Sequence, residues 1–255
     1  MTRYQYFKQH FNYLQMKHLL TIAVLFSTLS MFGQKKIVWF DIGLKAQYGA
    51  AGLYNAAVAD ADNVYGYHIG SGFGYGGKLG INFGYNGLAI DVMKSSAKQT
   101  FDKTPTTLEW KSLDIYALFR HAKNLGYFEI GPKLSMVKKY SVATGEISLT
   151  EVDKSLYNKN IFAGVVGFGA NIMGNDGRFS GILGLRFEYA FSDLDTEAGK
   201  ELNAPVYSLD PTFDLYANGK KSSNVAFAGV VFELNWGIGY FGKAQCGARS
   251  KFIMF

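Results

Sequence analysis

Between residues 225 and 241 the chain reads V-A-F-A-G-V-V-F-E-L-N-W-G-I-G-Y-F, with every even position apolar. The odd positions include Gly229, Glu233, Asn235, Gly237 and Gly239. Successive side chains of a strand point to opposite faces, so this pattern predicts a strand with one greasy face and one small or polar face. It is longer than the roughly 9–11 residues a tilted strand needs to cross the hydrocarbon core of a bilayer. Seven further segments carry the same period: 37–49, 66–84, 88–96, 109–120, 127–137, 160–173 and 178–191. In the first of them Phe40, Ile42, Leu44, Ala46 and Tyr48 oppose Asp41, Gly43, Lys45 and Gln47. Pro132 lies on the apolar face of the fifth and cannot donate to a ladder, which predicts a bulge or a missing bond there.

The connections between these segments alternate in length. Tyr85-Asn86-Gly87, the link 121–126 and Gly174-Asn175-Asp176-Gly177 are short and carry turn residues. The stretches 50–65, 97–108, 138–159 and 192–224 are long. An even-stranded membrane barrel with both ends in the periplasm has short turns on that side and long loops outside. Aromatic residues gather at the short-turn ends: Trp39, Phe40, Phe83, Tyr85, Phe119, Tyr127, Phe128, Tyr240 and Phe241. They are expected to form an interfacial girdle. The predicted fold is therefore all-β, an eight-stranded antiparallel transmembrane up-and-down β-barrel over residues 34–241. Its last strand closes on the first.

Eleven charged residues fall on the small-and-polar faces. The acids are Asp41, Asp91, Asp114, Glu129, Glu188 and Glu233, and the bases are Lys45, Lys78, Arg120, Lys133 and Arg186. A soluble carrier turns its charges outward, whereas a membrane barrel turns them into the lumen. With eight strands the interior is just wide enough for side chains to fill. The eleven are thus expected to form a paired lumen network, with interleaved glycines making room for the long Lys and Arg side chains. Half-buried strands of soluble proteins also alternate. The amino-terminal segment, the loop asymmetry and the aromatic clustering argue for the membrane.

That amino-terminal segment has a 14-residue apolar run at 19–32, preceded by Lys17 and followed by Gly33-Gln34-Lys35-Lys36. The run is short for a spanning helix and has the layout of a secretory signal, so 1–33 is expected to be a signal peptide with Met16 as a candidate true start. Residues 242–255 lack alternation and are expected to form a short basic periplasmic tail. The chain's net charge of +6 suggests a nucleic-acid partner at first sight. The excess, however, is Arg3, Lys8, Lys17, Lys243, Arg249 and Lys251, all outside 34–242, where acids and bases balance. No nucleic-acid partner is expected. A single cysteine, Cys246, excludes an internal disulfide framework. Thirty glycines and a high aromatic content (21 Phe, 17 Tyr, 3 Trp) agree with all-β structure.

Catalytic chemistry has few candidates. His68 and Ser71 are three apart on a strand, a spacing that places them on opposite faces. His121 falls in a short turn and is expected to be solvated. Asp193, Asp195 and Glu197 offer oxygens to a cation but lack the glycine and spacing of a calcium loop, so they read as a solvated acidic loop. No phosphate-binding loop, zinc spacing or nucleophile elbow is present. No enzyme activity, cofactor or metal is expected.

The eight amphipathic segments, the run Y-F-E-I-G-P-K-L-S at 127–135 and the aromatic-ended last strand resemble small bacterial outer-membrane β-barrel proteins, in particular the PorT-like and OmpX-like group of Bacteroidota-type Gram-negative bacteria. The resemblance implies export to the cell outer membrane and insertion by the barrel assembly machinery. It also implies contact with outer-membrane lipids and lipopolysaccharide. It does not imply one activity. The leading expectation is a non-enzymatic barrel with a filled lumen, whose long loops serve a structural, adhesive or envelope role. The alternatives are a narrow porin or small-solute channel and, behind it, a lipid A-modifying enzyme.

Overall fold

The structure, a computed structural model, describes residues 38–60, 66–101, 106–123, 126–144, 150–174, 179–207, 214–217 and 219–238. The expected signal peptide, the basic tail, Cys246, the Asn175-Asp176-Gly177 turn residues, Tyr240 and Phe241 lie outside these. Nine strands form the sheet: β1 (Val38–Asn55), β2 (Tyr67–Phe83), β3 (Asn86–Phe101), β4 (Thr106–Lys123), β5 (Gly126–Thr144), β6 (Thr150–Glu151), β7 (Asn160–Met173), β8 (Phe179–Ala190) and β9 (Ser223–Ile238). All pairings are antiparallel and, apart from β1–β9, join neighbours in the chain, with β6 a two-residue addition to β5 and β7 the true successor of β5. The β4–β5 and β1–β9 pairings close eight of the strands into a ring.

Closure rests on sixteen consecutive Cα partners between β1 and β9, from Phe40↔Ile238 to Asn55↔Ser223. The backbones approach closely at Gly49↔Gly229. A Cβ on Gly49 would lie 2.3 Å from both the Ala228 carbonyl oxygen and Gly229 Cα. Gly49→Val therefore forces the seam apart. It is expected to lower the urea midpoint of the refolded protein by an equivalent of about 1–3 kcal/mol, as overpacking does.

The strands run farther than the alternation predicts. β1 extends through Asn55 and is followed by a helical turn, α1 (Ala56–Asp60), capped by Asn55 Oδ1, which accepts from Ala57 N at 2.9 Å. The expected loop 97–108 is largely strand, because β3 reaches Phe101 and β4 starts at Thr106; β5 likewise reaches Thr144. Above the apolar band the polarity of the two faces reverses, with Phe101, Leu108 and Trp110 inward and Lys98 and Lys111 outward, so the apolar-outside pattern is lost although pairing continues.

Turns and irregularities also differ in detail. Phe83 pairs with Asn86, so the two-residue turn is Gly84-Tyr85, with Gly84 at φ +67°, as a type II′ hairpin requires. The β4–β5 ladder skips Gly131 and Pro132 without a change of register, so the proline costs bonds and makes no bulge. The bulge on β5 sits higher, where Lys111 pairs with Lys139 and Ser112 with Val137.

Candidate functional site

Alternation directs the eleven charged residues inward from seven of the eight barrel strands, all but β7, and all are buried. They gather in two tiers. In the lower tier Glu233 is the hub. Its carboxylate accepts from Lys78 Nζ at 2.7 Å and from Arg120 Nη1 and Nη2 at 2.7 and 2.8 Å, and lies 3.0 Å from Lys45 Nζ. Glu129 takes Arg120 at 2.6 Å and Arg186 at 2.7 Å. Asp91 takes Lys45 at 2.5 Å and Arg186 at 3.1 Å, and Asp41 takes Lys78 at 2.7 Å. The upper tier is Lys133, bound to Glu188 at 2.6 Å and Asp114 at 2.9 Å.

Three residues that lie on the same faces, Gln47, Tyr116 and Asn235, complete the network without carrying a charge. Gln47 accepts from Arg186 Nη1 at 3.3 Å and links the tiers. The Tyr116 hydroxyl donates to Glu188 at 3.0 Å while its ring lies 4.8 Å from the Arg186 guanidinium. Asn235 donates to Glu233 at 2.6 Å. Parity marks all three as inward; nothing in the sequence marks them as partners. Glycines do make room, but for the acids: a Cβ on Gly80 would sit 1.8 Å from Asp41 Oδ1, and one on Gly167 2.8 Å from Glu129 Oε1.

Apolar clusters flank these tiers. Ala122, Tyr127 and Ile182 form one buried cluster, and Met93, Tyr116, Leu118 and Val165 form another. A cavity of about 40 Å³ lies between the Lys133 tier and Trp110, Val137 and Ile161, room for no more than a few water molecules. Beyond it a larger cluster, including Leu53, Phe101, Leu108, Tyr140, Leu194 and Tyr216, fills the mouth. Leu194, Val206, Leu215 and Tyr216, from residues 191–207 and 214–217, supply much of this lid. The first of these stretches includes α2 (Glu197–Glu201), capped by the Thr196 hydroxyl, which accepts from Gly199 N at 3.2 Å. Asn55 Nδ2 ties the lid to the wall by donating to Tyr216 Oη at 3.1 Å and Ser223 Oγ at 3.0 Å.

The acidic loop is solvated only at Glu197, which is exposed on α2; Asp193 and Asp195 are drawn into the lid. Asp193 Oδ2 pairs with Lys200 at 2.6 Å, and its Oδ1 accepts from the backbone N–H groups of Asp195 and Ser223. Asp195 is buried, and neither carboxylate oxygen has a hydrogen-bond partner of good geometry. Burial, reinforced by the Asp193 charge, pushes its carboxyl up to about 7, with the Ser223 hydroxyl and Lys200 offsetting part of the rise. Among the described residues no three His, Cys, Asp or Glu side chains converge on a metal position.

Two histidine expectations need correction. A bulge sets Ile69 and Gly70 against the single residue Gln99, so His68 and Ser71 share the outer face, where both are exposed. His121 is on β4, exposed, with Nδ1 2.7 Å from Asn86 Oδ1. The girdle also loses two members. Trp39 and Tyr127 are buried inside the barrel, the latter with its ring 4.5 Å from the Arg120 guanidinium. Phe40, Tyr85, Phe119 and Phe128 are exposed on the outside, as are Leu44, Leu79, Ile90, Leu185 and Val230 higher up the wall.

The molecule is thus a closed antiparallel meander barrel with inverted polarity, charged within and apolar without. No family model matches the chain, and no curated protein matches it. Among solved structures it is similar to Neisserial surface protein A (13% identity, 77% of this chain and 96% of that chain covered, TM-score 0.38). It is also similar to the translocator domain of the autotransporter NalP from Neisseria meningitidis (9% identity, 90% of this chain and 98% of that chain covered, TM-score 0.30).

Proposed function

We propose that this chain is an integral outer-membrane barrel, exported by its amino-terminal segment, whose filled lumen makes it a structural or adhesive element of the envelope and not a conduit. The carrying observation is the inverted polarity: large apolar side chains exposed around the wall, ion-paired charges inside. In water that arrangement exposes apolar surface far beyond the few hundred Å² of an ordinary soluble surface patch; in lipid it is the favourable one. Strands of 18 and 19 residues exceed the hydrocarbon span and carry their ends above it. The lid and the residues on it are then the outer surface available to partners. The reading gives His68 and His121 no catalytic role.

The test is electrophoretic. Protein extracted from membranes or refolded in detergent is expected to migrate differently before and after boiling, because a closed ladder resists the detergent until heated. Identical migration together with recovery from the soluble periplasm would sink the proposal.

A further inference from the structure

We infer that the outer face of β3, β4 and β5 holds a basic ledge that binds the phosphorylated headgroup of an outer-leaflet lipid. This rests on the membrane reading above.

The outward positions of β1, β7, β8 and β9 carry no charge along their described length. One sector differs. On β3 the exposed series Leu88, Ile90, Val92 gives way to Lys94, Ser96 and Lys98. On β4 the apolar outward series ending at Leu113 is succeeded by Lys111 and Glu109. On β5 the bulge leaves two consecutive lysines, Lys138 and Lys139, both exposed directly above Val137. The register brings these together: Lys94 lies across from Leu113, Ser96 from Lys111, and Lys111 from Lys139. Five ammonium groups thus stand on three adjacent strands at the upper edge of the apolar band.

Two features point to an anion. Lys111 and Lys139 are direct cross-strand neighbours, a like-charge placement that weakens a sheet unless something compensates. Among the described residues the only acid paired with any of the five is Glu109, at 2.9 Å from Lys111. Four cations are therefore left for an external partner. The height selects the partner's chemistry. A lysine at the edge of the hydrocarbon band snorkels to headgroup level, where phosphates lie, while its stem covers apolar surface. A lipid with more than one phosphate meets the ledge while its chains lie on Val92, Leu113 and Met136 below.

The full chain in phosphatidylcholine nanodiscs, with or without diphosphoryl lipid A, tests this by counting lipid A retained per barrel. Wild type is expected to retain it, to lose it as salt rises, and to discriminate against the dephosphorylated form. Lys94→Gln/Lys111→Gln/Lys139→Gln is expected to weaken retention about a hundredfold, at about fivefold per lysine near the surface. Lys123→Gln, at the opposite rim, is expected to retain it fully. Removing the like-charge neighbours should raise the urea midpoint of the lipid A-free barrel, so the variant folds. Equal retention by variant and wild type, or of both lipid forms, overturns the ledge. Failure of wild type to show heat-modifiable migration in nanodiscs overturns the membrane reading and the ledge with it.

Discussion

Glu233→Gln is expected to destabilise the refolded barrel by about 3–5 kcal/mol, seen as a lower urea midpoint with an unchanged slope. The carboxylate faces Lys45, Lys78 and Arg120 within 3.0 Å, in a space from which water is excluded. An amide keeps the shape but cannot neutralise them, and its N–H₂ points donors at donors. Lys78 keeps Asp41, Arg120 keeps Glu129 and Lys45 keeps Asp91, so the fold survives with weakened pairs and is not abolished. Lys45→Met in the same background removes one of the cations that lost Glu233 and leaves Asp91 paired with Arg186, so it should recover part of the loss, a coupling that a double-mutant cycle reads directly. Glu109→Gln is the control, since its exposed pair with Lys111 is worth about 0–1 kcal/mol. If Glu233→Gln and Glu109→Gln cost the same, the interior charges are not paired as described.

The lid is expected to loosen as pH rises from about 4 to 7. Asp195 has its carboxyl raised from an ordinary 3.8 to about 7 in the closed lid. The closed state therefore holds a proton that the open state releases. Its contribution is complete below about pH 4 and lost as pH rises through 7, up to roughly 4 kcal/mol of lid closure. Tyr207 and Tyr216, pushed up by burial, stay protonated across this window, and Lys200, raised by Asp193 and Glu197 against its desolvation, stays charged. Asp195→Asn cannot ionise and should flatten the profile. Hydrogen exchange of residues 193–207, corrected for intrinsic rates and referenced to β8, decides it. Protection in wild type should fall between pH 5 and pH 8 and should not fall in the variant. Equal protection in wild type at both values would remove Asp195 as the titrating group.

Where apolar residues alternate, the sequence states both the strand and its facing, as in 160–173, which the structure reproduces as β7. It does so because inward and outward positions meet opposite environments. Above the band the contrast is inverted, with Phe101 and Tyr140 inward and Lys98 and Lys139 outward, and 97–101 and 138–144 look like loop although β3 and β5 continue through them. Parity also fails silently at a bulge, which is how His68 and Ser71 come to share a face. Aromatic residues are ambiguous for another reason: Trp39 and Phe40 are neighbours of similar chemistry, and only the pleat sends one inside. Parity alone picks out Lys78 and Glu233 as inward. Their contact across 155 positions depends on the β1–β2 and β1–β9 registers, which no local pattern encodes. The lid was least legible, because a short acidic stretch gives no sign that Asp195 is enclosed by Tyr140, Tyr207 and Tyr216.

Among the described residues, charge tiers, apolar clusters and lid leave no continuous aqueous path through the barrel. Planar-bilayer recording of the refolded full chain, with insertion verified by heat-modifiable migration, tests this most directly. A silent membrane is expected at neutral and acidic pH. Steady, reproducible conductance steps would contradict it and make the protein a narrow pore.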